Sequence, residues 1–226
     1  MGIFKRFTHK KTNFKAGGLK EPLSNIAKFS RLKYTSNFVA PKFIDSRGMC
    51  LASSDQGFHP SCAGYTTAGY LEVQNWKKNH YPEQLDGLKI YKKAKELDPY
   101  NGDGTTLDYT VKAAIELGLL KGDWNIEYVT SKEDVKYAVH EFSVFMAGFM
   151  INEAWNFVSK KTGYISTSSG ADLGGHAVLV CWYDEDAGIG WQNSWGSSWG
   201  WNGFGRMTWK QFNEQFQAGV IINKNT

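Results

Sequence analysis

Small and apolar residues recur with helical spacing in the stretch from residue 61 to residue 79. Pro60 and Ser61 stand at its start, and both residue types are typical of the beginning of a helix. The pattern therefore predicts a helix that begins at Cys62, with Ser61 as its cap.

Two more helices are predicted farther along the chain. Residues 106–117 place leucine, valine, alanine and isoleucine on one face, and Gly118 follows at a position suited to end a helix. Residues 132–141 form the third predicted helix, which the sequence SKED opens. A turn is predicted over residues 101–104, and one short helix near residues 22–31.

From about Trp124 the pattern changes to short apolar runs separated by turns. Strands are predicted at residues 143–150, 176–183, 189–192 and 205–208. Because helices come first and mostly strands follow, the sequence predicts an α+β fold of two lobes, with a site in the cleft between them.

This change of pattern also suggests a division of the chain into three parts. We expect a basic N-terminal arm over residues 1–40, a helical left lobe over residues 41–120 and a β-rich right lobe over residues 121–226. The right lobe would then carry every predicted strand.

Charge is spread unevenly over the 226 residues. Residues 1–40 hold nine Lys or Arg and one acid, a local charge of +8, so the remaining residues carry −4 of the net +4. Such an arm could bind an anionic surface, nucleic acid included, or lie along its own acidic body. A solvated terminus without a partner is the alternative.

Composition excludes several classes of protein. With 42% hydrophobic and 21% charged residues the chain is expected to be globular and not disordered. No apolar run approaches the ~20 residues that span a bilayer, and the opening residues lack the apolar stretch of a secretory signal. The three cysteines, Cys50, Cys62 and Cys181, are an odd number that suits a reducing compartment or a free reactive thiol.

Cys62 is the strongest candidate for chemistry. A free cysteine is most often a small buried hydrophobic residue, but this one lies at the predicted start of a helix. Unpaired amides and the helix dipole at that end favour a thiolate, and the same amides can stabilise an oxyanion on a carbonyl that the sulfur attacks. We therefore interpret Cys62 as a nucleophile.

The nucleophile needs a base, and His176 is the best placed of the five histidines. It follows Gly174 and Gly175, which leave room for a substrate backbone, and it opens an apolar strand. The others lie in the arm, in a loop or near the ends of polar helical stretches: His9, His59, His80 and His140.

Asn193 returns toward His176 on the following strand. A regular hairpin centred on Asp186 would place Asn193 opposite Leu179, about 10 Å along the strand from His176, so a bend or bulge is predicted there. The amide oxygen of Asn193 would then orient the imidazole. A purely structural role at the strand end is the alternative.

The sequence fits two other kinds of site less well. Six of nine tryptophans fall within residues 182–209, but no basic residue interleaves them before Arg206, which favours packing over the stacking of bases or sugars. Cys50, His59 and Cys62 do not have the spacing of metal ligands, so no metal site is predicted.

Four ordered motifs resemble those of the papain-like cysteine peptidases. Residues 56–62 (QGFHPSC) resemble the family's nucleophile segment, and residues 45–48 (DSRG) its start-of-domain motif. Residues 175–178 (GHAV) and 193–200 (NSWGSSWG) are similar to its histidine and asparagine segments, in the family's order. The resemblance covers about residues 43–215.

The resemblance implies a fold and a set of roles. The family fold has a helical left lobe and an antiparallel β-barrel-like right lobe, with the site between them. Gln56 and the Cys62 amide would form the oxyanion hole. Trp195 would shield the hydrogen bond between Asn193 and His176 and border the leaving-group side of the substrate site. Further candidates for binding the substrate backbone are Gly102 or Gly104, and Gly175.

Several departures from the family pattern indicate a particular branch. Ala63 and Ser46 stand where tryptophan is usual, and His59 occupies the place of a disulfide cysteine in secreted relatives. The chain thus resembles bacterial or viral branches, and too few residues precede residue 43 for the long inhibitory propeptide. We expect a protein of a prokaryotic cytoplasm or one associated with a virus.

The resemblance therefore implies an endopeptidase that hydrolyses peptide bonds through a Cys62 thioester, with His176 as general acid and base and Asn193 as the orienting residue. The expected partner is a polypeptide substrate, with no cofactor and no metal, and a monomer is expected. A thiol transpeptidase or isopeptidase on the same triad is the alternative. A catalytically silent peptide-binding module is disfavoured because every motif residue is present.

Overall fold

A computed structural model of the chain describes residues 30–35, 37–166 and 169–224. The helices in these residues are α1 (Cys62–Asn79), α2 (Gly87–Leu97), α3 (Leu107–Glu116), α4 (Lys132–Phe142) and α5 (Trp209–Gln215). The strands are β1 (Ser30–Arg31), β2 (Phe43–Asp45), β3 (Trp124–Val129), β4 (Phe145–Asn152), β5 (Asp172–Asp184), β6 (Gly188–Gln192), β7 (Phe204–Met207) and β8 (Phe216–Lys224).

The strands form one mixed sheet in the described part of the chain. Its order is β1-β3-β8-β4-β5-β6-β7, with β2 paired to β5 beside this path. The short strand β1 runs parallel to β3, and the remaining pairs are antiparallel. Helices followed by a largely antiparallel sheet confirm the predicted α+β fold.

The three N-terminal helices pack on one another through small residues. A side chain at Gly64 of α1 would collide with the Gly87 carbonyl oxygen of α2 at 2.3 Å, so the two helices approach at a contact that only glycine permits. A small buried cluster then joins α1, α2 and α3, and its members are Ala68, Ile90, Ala94 and Ala113.

A larger core connects these helices to the sheet. Val73 of α1 and Val111 of α3 belong to the same buried cluster as Phe145 and Trp191 of the sheet. The Tyr70 hydroxyl also donates to the carbonyl oxygen of a residue in β8 at 3.1 Å. The helical and β-rich parts therefore share one core, and the boundaries proposed between the lobes stay a prediction.

The local signals in the sequence located the predicted helices well. Helix α1 begins at Cys62 as predicted, and α3 ends before Gly118, which has a φ of +72°. The SKED motif opens α4 through a capping box, in which Ser131 and Asp134 each bind the other's backbone amide.

Other elements were predicted wrongly or missed. Ser30–Arg31 form a strand and not the end of a helix, and the rest of the helix predicted over residues 22–31 lies outside the described residues. The strand predicted from residue 143 begins at Phe145, because Ser143 ends α4 with a φ of +69°. Helices α2 and α5 and strand β8 were not predicted.

The end of the N-terminal arm packs against α4. The ring of Tyr34 stacks on that of Tyr137 with centroids 4.7 Å apart, and Phe38 meets the same ring edge-on at 4.9 Å. The Tyr34 hydroxyl donates to the Asp134 carboxylate at 2.6 Å. Most of the basic arm, residues 1–29, lies outside the described residues.

None of the helices in the described ranges combines the length and apolar character that crossing a membrane requires.

Candidate active site

Cys62 lies at the first turn of α1, where the helix presents free amides. Its thiol is fully buried, and the backbone N–H groups of Cys62, Ala63 and Ala177 are directed at the sulfur. Ser61 does not cap the helix as predicted, because its side chain makes no capping bond and its buried Oγ has no hydrogen-bond partner in the described part of the chain. The amides at this end therefore remain available to the sulfur and to a substrate oxyanion.

The imidazole of His176 comes from the adjacent strand β5. Because Ala177 directs its amide at the sulfur of Cys62, the structure brings the backbone beside His176 to the nucleophile. His176 Nε2 lies 2.8 Å from Asn193 Oδ1, which can only accept, so Nε2 carries the proton. The other ring nitrogen, Nδ1, is buried and has no hydrogen-bond partner among the described residues.

A β-bulge brings Asn193 within reach of His176. The register between β5 and β6 shifts between Val180 and Trp182, so Leu179 pairs with Gln192. Asn193 therefore follows one position closer to His176 than in a regular hairpin, which confirms the predicted bulge. The side chains span the remaining distance.

Gln56 is held by the segment that carries Asn193. Its Oε1 accepts from Ser194 Oγ at 2.6 Å, and its backbone N–H donates to the Ser194 carbonyl oxygen at 2.8 Å. Gln56 Nε2 donates to the His59 carbonyl oxygen at 2.8 Å, which leaves one of its two N–H bonds for another acceptor. Ser194 was not predicted, although it adjoins Asn193 in the sequence.

Two tryptophans enclose the imidazole. The ring of Trp195 lies 4.7 Å from that of His176 at an angle of 33°, and it is almost fully buried, as the predicted shielding role requires. Trp155 meets the imidazole edge-on at 5.9 Å and donates from its indole nitrogen to Gln215 at 2.8 Å. Trp155 was missed because it lies in a short 3₁₀ helix outside every motif.

The candidate glycines occupy different surroundings. Gly175 is partly exposed and pairs with Met150 in the sheet, directly before His176. Gly102 is exposed with a φ of +88°, whereas Gly104 is buried with a φ of +79°. All three stay candidates for substrate binding on the strength of the resemblance.

Burial opposes charge on both reacting groups. Loss of solvent raises the pKa of Cys62 to about 11, against the smaller opposite effect of the three amides at the sulfur. Loss of solvent likewise lowers the pKa of His176 to about 4, although the bond to Asn193 acts in the other direction. Burial therefore disfavours the charged form of each group, whereas the amides at the helix terminus favour the thiolate.

Acids, histidines and cysteines of the described residues form no group of three or more that could hold a metal ion.

Comparison by sequence identifies a family. The sequence model of the papain family of cysteine proteases matches residues 80–221, which is more than half of the chain. The match includes His176 and Asn193 and begins after Gln56 and Cys62. A search by sequence among curated proteins finds no match.

Comparison of structures finds the same fold in three cysteine proteases. Xylellain from Xylella fastidiosa superposes with a TM-score of 0.78 at 19% identity, over 94% of this chain and 98% of its own. Procathepsin B S9 from Trypanosoma congolense superposes with a TM-score of 0.71 at 14% identity, over 94% of this chain and 87% of its own. Digestive procathepsin L 3 from the larval midgut of Tenebrio molitor superposes with a TM-score of 0.65 at 19% identity, over 87% of this chain and 70% of its own.

Proposed function

The chain belongs to the papain family of cysteine proteases, and from this premise we propose that it is an endopeptidase whose nucleophile is Cys62. The observation that carries the proposal is the hydrogen bond from His176 Nε2 to Asn193 Oδ1, which leaves Nδ1 as the only ring nitrogen able to accept a proton. The Cys62 thiol is the proposed proton donor, because its sulfur receives the amide of Ala177, the residue next to His176.

The first step proposed is acylation. The Cys62 thiol passes its proton to His176 Nδ1, and the sulfur attacks the carbonyl carbon of the scissile peptide bond. The resulting oxyanion accepts from the Cys62 amide and from the free N–H of Gln56 Nε2. The imidazolium then protonates the leaving amine, and a thioester to Cys62 remains.

Deacylation reverses the roles of the same groups. His176 removes a proton from water, which attacks the thioester carbonyl, and the imidazolium returns the proton to the departing sulfur. Asn193 holds the ring in one tautomer throughout, and Trp195 keeps water from the bond between them. The charges exist only within the pair, so its net charge stays at zero as the proton moves.

Removal of the nucleophile tests this proposal. We expect Cys62→Ala to abolish hydrolysis of a peptide substrate without loss of fold, because no other group can form the thioester. Cys50→Ala and Cys181→Ala are the matched controls, and we expect them to keep near-normal activity in the presence of a reductant. Hydrolysis by the Cys62→Ala protein at the normal rate would contradict the proposal.

Transfer of the acyl group to an amine is the second candidate reaction, as a transpeptidase or isopeptidase would perform it. It uses the same thioester, and the family match fits either outcome. Adding an amine acceptor during peptide cleavage separates the two. We expect the hydrolysed acid to stay the main product, whereas a predominant amide product would favour transfer.

We also propose that residues 1–40 restrain the enzyme or dock on an anionic surface. Two observations support this: the local charge of +8 opposite a body of −4, and the complete burial of Cys62, which a substrate cannot reach without movement. Deleting residues 1–29 should raise kcat/KM or abolish salt-dependent binding to polyanions. If the deletion changes neither kcat/KM nor binding to polyanions, this proposal for residues 1–40 is wrong.

A monomer in a prokaryotic cytoplasm or in association with a virus is a further proposal. Its support is the absence of the disulfide cysteine at His59 and the reduced state that Cys62 requires. A solution mass of about twice that of the chain by light scattering would contradict the monomer.

A further inference from the structure

Two cysteines outside the active site lie next to each other in the folded chain. Cys50 follows a short 3₁₀ helix, Arg47–Met49, and Cys181 lies in β5. The Cys181 thiol donates to the Gly190 carbonyl oxygen at 3.9 Å, and the Cys50 side chain is near enough to raise its pKa. Neither thiol takes part in the proposed reaction, and both are free.

The backbone around Ser46 holds the two cysteines together. The Ser46 amide donates to the Cys181 carbonyl oxygen at 2.8 Å, which continues the pairing of β2 with β5. Cys50 Sγ in turn lies 3.9 Å from the Ser46 carbonyl oxygen. The neighbouring position of the thiols therefore depends on sheet hydrogen bonds as well as on side-chain packing.

A guanidinium group lies beside the pair. Arg47 interacts electrostatically with both thiols, and its Nε and terminal nitrogen donate to the Asp45 carboxylate at 2.9 and 2.6 Å. The same guanidinium lies 5.7 Å from the ring centre of Trp182 in β5. Arg47 favours a thiolate on Cys181, and Asp45 opposes one there.

The two thiols differ in access to solvent. Cys50 is half-buried, whereas Cys181 is fully buried. A dissolved reagent can therefore reach Cys50 first, and Cys181 is positioned to attack whatever forms on Cys50. This is the arrangement of an attacking and a resolving cysteine.

We propose that Cys50 and Cys181 form a reversible disulfide in the folded protein when a small-molecule disulfide oxidises them, while Cys62 stays outside the pair. Both residues contact the backbone of Ser46, so the two sulfurs start in the same neighbourhood and need a local movement to reach bonding distance. With three cysteines in the sequence, this pairing leaves Cys62 as the free nucleophile.

The reaction consists of two exchanges. The Cys50 thiolate attacks one sulfur of the reagent, forms a mixed disulfide and releases one small thiol. Cys181 then loses its proton to solvent, and its sulfur attacks Cys50 Sγ and releases the second small thiol. The two protein thiols lose two electrons, and the sulfur–sulfur bond of the reagent gains them.

The second exchange should be slow at neutral pH. Burial and the nearby Cys50 side chain raise the pKa of Cys181, and Asp45 adds to this effect while Arg47 opposes it. Raising the pH increases the thiolate fraction of Cys181, so closure of the mixed disulfide should accelerate through the alkaline range.

The bond would tie together the two segments that build the active site. One is the stretch that leads from Cys50 to Gln56, and the other is β5, which carries His176. Gln192 Nε2 already donates to the Leu51 carbonyl oxygen at 2.6 Å beside the pair. Because the disulfide closes a long loop, it should reduce the conformational entropy of the unfolded chain and raise Tm.

The test uses the full chain with Cys62→Ser, in which Cys50 and Cys181 are the two remaining thiols. After incubation with oxidised glutathione we expect an intact mass lower by two hydrogen atoms, and a cross-link between tryptic peptides 48–77 and 162–206. Tm should rise by about 5 °C or more and return to its starting value with dithiothreitol. Closure should be faster at higher pH.

Two double variants, each lacking one cysteine of the pair, are the matched controls. Cys62→Ser/Cys50→Ser and Cys62→Ser/Cys181→Ser should show no loss of hydrogen and no rise in Tm. Should Cys62→Ser fail to fold, wild-type protein with Cys62 blocked by a peptidyl epoxide takes its place. A glutathione adduct on Cys50 that never closes, or a disulfide that includes Cys62 in the unblocked wild type, would overturn the proposal.

Discussion

At the scale of single residues, Asn193 Oδ1 links the residues of the candidate site through its hydrogen bonds. It accepts from His176 Nε2 at 2.8 Å and from the Ser194 amide at 2.9 Å, while Ser194 Oγ binds Gln56. One short segment therefore fixes His176 and Gln56, the proposed general base and oxyanion donor, and a change at Ser194 should disturb catalysis without touching the proposed nucleophile.

Replacing Ser194 with alanine removes the hydroxyl that holds Gln56 Oε1. We expect kcat to fall roughly tenfold with KM little changed, less than the 10²–10³-fold typical of losing an oxyanion donor outright, because Gln56 stays in place but is less well oriented. Steady-state kinetics with a fluorogenic peptide measures this. Ser198→Ala, at an exposed position of the same motif, is the control, and equal activity of both variants would contradict the role given to Ser194.

The pKa values of the reacting pair predict the pH dependence of activity. The pair is active while it holds one proton, whichever group carries it. A second proton binds to His176, whose pKa is lowered from 6.5 to about 4, and the last proton leaves Cys62, whose pKa is raised from 9.0 to about 11. The profile of kcat/KM should therefore be a bell broader on both sides than free side chains would give.

The profile is measured with one substrate across buffers of constant ionic strength. An acid limb with a midpoint near 6.5 would mean that the imidazole is solvated in the free enzyme, and the burial described for His176 would then be wrong for the active state.

At the scale of elements, the bulge in β5 decides whether the site forms. It shifts the register of β5 against β6 by one residue, and Trp182 at the bulge packs directly over Gly190. A Cβ at Gly190 would lie 1.8 Å from the indole nitrogen of Trp182, so only glycine fits there.

Gly190→Ala should displace Trp182 and disturb the register that brings Asn193 to His176. We expect a loss of at least about 2 kcal/mol in the free energy of unfolding, together with a fall in kcat, because overpacked interiors must shift their backbone. Denaturant unfolding and steady-state kinetics measure the two effects. Gly48→Ala, where a Cβ meets nothing within 4 Å, is the control. If Gly190→Ala is as stable and active as Gly48→Ala, the bulge has no such role.

The elements also show which parts of the fold local sequence can specify. Helix α4 was predictable because Ser131 and Asp134 close a capping box within four residues. Helix α2 also carries a local signal, since the Asp86 side chain caps it by accepting from the Lys89 amide, and the prediction overlooked this cap. Strand β8, in contrast, depends on its pairing with β3 and β4.

At the scale of the whole molecule, the site draws on residues far apart in the sequence. The sequence motifs predicted Gln56, Cys62, His176 and Asn193, because each lies in a short segment with its own pattern. Trp155 and the bond between Ser194 and Gln56 could not be predicted, since they arise where separate segments pack. The effect of burial on the pKa values of Cys62 and His176 was also beyond the sequence.

The common core explains why the site depends on the whole fold. Helix α1, which presents Cys62, and strand β5, which presents His176, belong to one buried cluster. The proposed nucleophile and its proposed base are thus held by the same packing, and neither half of the chain contains the complete candidate site.

Labelling with a thiol-directed peptidyl epoxide, followed by mass mapping of the modified residue, tests the central claim most directly. We expect one adduct per chain, on Cys62, which is lost in His176→Ala and retained in Cys50→Ser and Cys181→Ser. An adduct on Cys50 or Cys181, or undiminished labelling of Cys62 in the His176→Ala protein, would contradict the account of a nucleophile activated by His176.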